Sequence, residues 1–127
     1  MTLRAIKTSS APGAVASYSQ AIDTGGLVFL AGQIGLDPAT QQLVEGGIEA
    51  QAERALKNVA AVLDAAGLSM ADVVKTSCFL SDIANFEAFN KVYARFVGDP
   101  PPARSTFAVA GLPRGALIEI EAIAARS

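Results

Sequence analysis

Two charged side chains sit where their neighbours constrain them most. Arg104 follows Pro100-Pro101-Pro102-Ala103 and opens the segment Arg104 to Ala110. So rigid an approach presents a planar guanidinium at a defined angle, suited to gripping a carboxylate through two parallel hydrogen bonds. An arginine at a strand end serves equally as one half of a surface ion pair. Glu119 lies within Leu117-Ile118-Glu119-Ile120-Glu121-Ala122-Ile123-Ala124. Desolvation among those aliphatics is expected to raise its pKa and fit it to orient or deprotonate a water. An intersubunit ion pair accounts for it as well, and Glu121 shares its face, so periodicity does not separate the two acids.

Three further positions are candidates for lining a site. Asn90 interrupts the aromatic stripe Phe86, Phe89, Tyr93, Phe96, where it either reaches a buried polar partner or stays half exposed at the helix edge. Tyr18 is amphipathic and equally open. Gly32, before Gln33 at the end of an apolar run, permits close approach of a backbone or ligand. No Gly-rich phosphate loop with a following Lys is present.

Other chemistries are excluded by composition. Histidine is absent and Cys78 is the only cysteine, which removes Ser-His-Asp triads, zinc clusters, CxxC centres, Fe–S ligation and any internal disulfide. Cys78, within Thr76-Ser77-Cys78-Phe79-Leu80, reads as a small buried hydrophobe. Acid–base work therefore falls to Glu, Asp, Lys, Tyr or water.

The elements that must position these residues follow from hydrophobic pattern. The chain has 127 residues, 51% hydrophobic and 17% charged, with a mean hydropathy of +0.37, enough for one compact domain over residues 1–127. Ten basic against twelve acidic residues give a net charge of −2, which opposes a nucleic-acid groove. No apolar run is long enough to cross a bilayer, so neither a membrane nor a secretory route is expected, and the default address is cytoplasmic. Residues 1–22 carry Arg4, Lys7 and serines but no acid, a bias shared with organelle transit peptides.

Residues 3–7 and 15–22 read as strands, the second containing Tyr18. The Gly25-Gly26 pair predicts a hairpin into Leu27-Val28-Phe29-Leu30-Ala31, apolar enough to be covered on both faces. Residues 48–66 place Ile48, Ala52, Ala55, Leu56, Val59, Leu63 and Ala66 on one helical face, with Gly67 as the stop. A strand over 73–80, a helix over 84–97 and strands over 104–110 and 116–124 complete the order βββαβαββ. The short link Gly111 to Gly115 predicts that the last two strands pair antiparallel. In the final strand Ile118, Ile120, Ala122 and Ala124 share the face that should meet the helices, leaving Leu117, Glu119, Glu121 and Ile123 on the other. Two helices cover only one face of such a sheet, so self-association is expected, with a polar cleft between subunits.

Several segments together resemble the RidA (YjgF) family of reactive-intermediate deaminases. They are Ser17-Tyr18-Ser19-Gln20-Ala21, Ala31-Gly32-Gln33-Ile34-Gly35, Ala65-Ala66-Gly67-Leu68, Asp72 to Thr76, Phe89-Asn90-Lys91-Val92-Tyr93, Pro102-Ala103-Arg104-Ser105-Thr106 and Leu112-Pro113 with Ile118 to Ala124. The resemblance spans essentially the whole chain, so residues 1–22 are kept within the fold. It implies a chorismate-mutase-like α/β (α+β) fold, one mixed sheet with two helices on one face, in a homotrimer with clefts between subunits. It also implies hydrolysis of enamines and imines without metal or organic cofactor: 2-aminoacrylate, as 2-iminopropionate, to pyruvate and ammonia, or short relatives such as 2-iminobutyrate.

Carried over by position, the resemblance has Arg104 hold the substrate carboxylate, Glu119 place the attacking water, Tyr18 line the cleft, backbone at Gly32 and Thr106 bind polar ends, and Asn90 stand nearby. The chain departs from the family pattern at Ala16-Ser17 (for Gly-Pro), Ala31 (for a frequent Ser), Thr106 (for a frequent Cys) and in a short loop before Arg104. Ala31 lacks a hydroxyl that could contact substrate, so substrate range is less defined than reaction class. Two rivals stand beside the deaminase. One is a non-catalytic module that binds small carboxylates or acts as a chaperone. The other is RNA cleavage, which the acidic balance opposes.

Overall fold

The computed structural model describes residues 3–127. The elements run β1 (Arg4–Ile6), β2 (Ala21–Asp23), β3 (Leu27–Gln33), α1 (Gly47–Ala65), β4 (Val73–Leu80), α2 (Phe86–Ala94), β5 (Ala103–Ala108) and β6 (Ile118–Ala125). This is the expected order, βββαβαββ. The six strands form one sheet in the order β1-β2-β3-β6-β4-β5, antiparallel except for β4 and β5. The first three strands form a meander whose second turn carries Gly25 at φ +105°, a backbone region closed to most side chains.

Both helices lie on one face. α1 buries Ala52, Ala55, Leu56, Val59, Val62 and Leu63 and packs on β6, β3 and α2. It ends as expected at Gly67, whose φ of +76° supplies the left-handed residue after the helix. Ile118, Ile120, Ala122 and Ala124 of β6 face the helices and are buried. The opposite sheet face is uncovered: Phe29 is 43% and Phe107 48% exposed, and Phe79 stacks edge-on against Phe107 at 5.3 Å. β3 is thus covered on one face only, since Val28 and Leu30 are buried while Leu27 and Phe29 are not.

Further expectations are corrected. The last two strands run antiparallel but do not pair, because β4 lies between them. Residues 109–117 are long enough to hook around the end of β4, to which they bond through Val109 N–H to Leu80 O (2.9 Å) and Ser81 N–H to Leu117 O (3.1 Å). β4, with Val73, Thr76, Cys78 and Leu80 buried, takes the interior place, and the polar, half-open β5 takes the edge. The expected strand over 15–22 is confined to Ala21–Asp23. The buried Gln20 side chain turns the preceding backbone away: its Oε1 accepts from Thr8 N–H at 2.8 Å and its Nε2 donates to Pro12 O at 2.8 Å. Tyr18 therefore sits on a loop.

The expected 84–97 helix is shorter. A 3₁₀ turn over Ile83–Asn85, its Ala84 N–H bonded to Asp82 Oδ1 at 2.9 Å, leads into α2. Cys78 is fully buried, and burial pushes its thiol up to about 11, in keeping with an inert core position.

Candidate active site

Alternation along β6 sends Glu119 to the sheet face opposite the helices. Across from it, β3 carries one extra residue between Leu30, paired with Ala122, and Gln33, paired with Ile120. The bulge falls on Ala31-Gly32, and Glu119 folds over it, so that a β-carbon on Gly32 would lie 2.8 Å from Glu119 Cδ and overlap Oε2. The close approach anticipated at Gly32 is thus made by an acidic side chain.

Above this point opens a cavity of about 440 Å³, lined by Val15, Tyr18, Gly32, Ile34, Arg114 and Glu119 among others. Its rim is held by buried amides. Gln20 pins the 8–12 loop, while Asn58, fully buried on α1, donates to Ile34 O at 3.1 Å and Leu36 O at 2.9 Å. Partial burial, with the like charge of Glu121, raises the Glu119 pKa, the direction expected from its apolar strand. No hydrogen bond or ion pair to the Glu119 carboxylate occurs among the described residues. Arg114 and Gln41 were not anticipated. Each adopts positive φ, +62° and +60°, and the Arg114 guanidinium donates to Gln41 O at 2.8 Å across the cavity rim.

Arg104 occupies the other face. It pairs in register with Thr76 on the edge of the sheet, and its side chain turns toward α2, where Nη1 donates to Asn90 Oδ1 at 2.8 Å. The stripe of α2 surrounds the charge: the guanidinium carbon stands 4.6 Å from the Tyr93 ring centre, 5.5 Å from Phe86 and 6.0 Å from Phe89. Contacts of this kind contribute up to about 2 kcal/mol when desolvated. Among the described residues no carboxylate pairs with Arg104, so most of its N–H fork is open to a ligand. Thr106, two residues on and on the same face of β5, holds a buried Oγ1 with no hydrogen-bond partner.

Within one chain, then, the candidate residues divide. Tyr18, Gly32 and Glu119 share the cavity on the open face, whereas Asn90, Arg104 and Thr106 cluster beside α2 at the sheet edge. Neither cluster contains histidine or a thiolate; the Arg104 cluster offers anion binding, and the Glu119 cavity offers proton transfer through a carboxyl group.

A family model described as endoribonuclease L-PSP matches residues 8–126. The chain is 48% identical over 126 residues to protein DfrA of Myxococcus xanthus, covering 98% of this chain and 96% of that protein. It is 46% identical over 121 residues to the human 2-iminobutanoate/2-iminopropanoate deaminase, covering 95% and 88%. The crystal structure of E. coli TdcF with bound serine superposes with a TM-score of 0.93 at 40% identity, covering 98% of this chain and 99% of that one.

Proposed function

Because the chain belongs to the endoribonuclease L-PSP family, which includes the YjgF and RidA proteins, we propose that it hydrolyses small imino and enamino acids at a site shared between subunits. The observation that carries this reading is a pair of uncompensated opposite charges, Arg104 and Glu119, on opposite faces of one sheet. A chain that leaves both without partners and leaves one sheet face bare is completed by further copies of itself. We take the assembly to be a homotrimer in which the Arg104 edge of one subunit closes the Glu119 cavity of the next, each subunit folding as one domain over residues 1–127.

In such a cleft the Arg104 fork binds the substrate carboxylate in a bidentate fashion, held in place by Asn90. The enamine 2-aminoacrylate tautomerises to 2-iminopropionate, whose C=N carbon then lies over Gly32. Glu119 accepts a proton from water as its oxygen bonds to that carbon, and the C=N π electrons move to nitrogen. Returning that proton to nitrogen gives the carbinolamine; Glu119 then takes the hydroxyl proton and passes it to the departing nitrogen as the C–N bond breaks, leaving pyruvate and ammonia. No protein nucleophile is required, because positioning and one acid–base group act on an already reactive bond. Support comes from the relative named 2-iminobutanoate/2-iminopropanoate deaminase and from the serine seen in TdcF, an amino acid of matching size.

The decisive assay mixes the protein with a dehydratase that generates 2-aminoacrylate and follows pyruvate. The wild-type chain should accelerate pyruvate release, and Arg104→Ala should abolish the gain. A wild-type chain without effect overturns the deaminase reading and favours a carboxylate-binding or chaperone-like module. The family description also names ribonuclease chemistry, which a net charge of −2 disfavours; RNA cleavage in the same preparation, lost in Arg104→Ala, would establish it instead.

A further inference from the structure

The α2 stripe does more than fill the core. Tyr93 is buried, 4% exposed, yet its hydroxyl is bonded to Thr76 Oγ1 at 2.6 Å, and Thr76 is itself 1% exposed. Thr76 lies directly beside Arg104 in the β4–β5 ladder. The ring that this hydrogen bond holds is also the one closest to the Arg104 guanidinium, at 4.6 Å. A tyrosine used only for packing has no need of that arrangement, since phenylalanine fills the same space without a buried hydroxyl to satisfy.

The geometry points to Tyr93 as a positioning residue for Arg104, its ring face setting the height of the guanidinium and the Thr76 hydroxyl setting the ring. The inference rests on Arg104 being the carboxylate clamp. Phe86, Phe89, Asn90 and Tyr93 stand at i, i+3, i+4 and i+7 of one helix face, so α2 presents three rings and one amide to the same cation. Asn90 fixes the guanidinium in its plane, and Tyr93 fixes it perpendicular to that plane. Without the ring, the arginine keeps its charge but samples more rotamers, and the cost falls on carboxylate binding.

The test compares Tyr93→Phe, Tyr93→Leu and Thr76→Val with wild type in the imine assay and in calorimetric titration with pyruvate, a carboxylate that needs no turnover. Tyr93→Leu should raise KM and the pyruvate Kd together by roughly tenfold or more, with kcat within about twofold. Tyr93→Phe and Thr76→Val, which keep the ring, should shift both constants in the same direction by less. In an Arg104→Lys background, which keeps the charge but not the planar fork, Tyr93→Leu should shift the pyruvate Kd by much less than in wild type.

An effect of Tyr93→Leu on kcat alone, or a full additive loss of pyruvate affinity in the Arg104→Lys background, overturns the assignment. If Tyr93→Leu does not fold, unchanged pyruvate binding in Thr76→Val has the same force. A wild-type chain that binds pyruvate through Arg104 and Tyr93 but turns over no imine sinks the deaminase reading and leaves this inference standing.

Discussion

The Glu119 carboxylate occupies the space that a β-carbon on Gly32 would fill, with Cδ 2.8 Å from that position. The atoms in conflict are the far end of a flexible side chain, so Gly32→Ala should fold and melt close to wild type as Glu119 swings aside. Displacing the acid from the bulge should nonetheless lower kcat by about 100-fold, the usual result of misplacing a reacting group by an ångström. Wild-type turnover in this variant would show that Glu119 need not sit over Gly32.

Glu119→Gln should lower kcat by roughly 10²- to 10⁴-fold, the range associated with one positioned acid–base group. Stability should move the other way. Glu119 has a raised folded pKa, so the folded chain holds its proton more tightly than the unfolded chain does. The stability it contributes is present below the unfolded value of about 4.3 and is lost as pH rises through the folded value. At pH 7 the Gln variant should therefore melt above wild type, and the gap should close in melting curves taken below about pH 4.

The like charge of Glu121 is the second cause of the Glu119 shift, after burial. Glu121→Gln should move the acidic limb of the kcat/KM profile to lower pH while leaving activity at neutral pH nearly unchanged. A pH profile identical to wild type would mean that Glu119 does not limit the reaction on its acidic side.

If Arg104 and Glu119 meet only across subunits, two inactive variants should rescue one another. Arg104→Ala and Glu119→Gln, unfolded together in equal amounts and refolded as mixed oligomers, should regain about a quarter of wild-type activity, since one site in four pairs two native partners. Each variant refolded alone should stay inactive. A mixture no more active than its components would place both groups of each site in a single chain.

Asp23 anchors the other end of the sheet. Its carboxylate accepts from Arg126 at 2.7 Å and Arg4 at 2.9 Å, and Arg126 also donates to Ala66 O at 2.8 Å, tying β1 and the segment after β6 to the end of α1. The Arg126 guanidinium, with the Gly25 N–H and Arg4, holds the Asp23 pKa down to about 2. A lowered folded pKa contributes stability above the unfolded value that disappears as pH falls through the folded one. Asp23→Asn should therefore lower Tm at pH 7, and its difference from wild type should shrink between about pH 4 and pH 2. A gap independent of pH would show that the pairs contribute little.

Much of the scaffold was readable because it follows from local periodicity. The α1 face, the Gly67 stop and the inward set Ile118, Ile120, Ala122 and Ala124 each depend on spacing within one segment. The expected strand over 15–22 and the β5–β6 pairing differ from the structure for a common reason. Gln20 overrides a strand-like pattern through hydrogen bonds to residues 8 and 12, and β4 separates β5 from β6, and neither fact is written in the segments concerned. Arg114, Gln41 and Tyr93 were passed over because a left-handed backbone at a non-glycine residue leaves no mark in sequence, and an aromatic on an apolar stripe looks like core.

The sequence by itself determined the order of elements, the acid embedded in the last strand, the arginine behind three prolines and the family segments that join them. Only the tertiary structure decided that Arg104 and Glu119 face opposite sides of the sheet, that Gly32 makes room for a carboxylate, and that Tyr93 lies beneath the guanidinium. Alternation with a period of two states which residues of one strand share a face, but the relative phase of two strands is set by which neighbours they find through long-range hydrogen bonding. That choice is made by the whole chain at once.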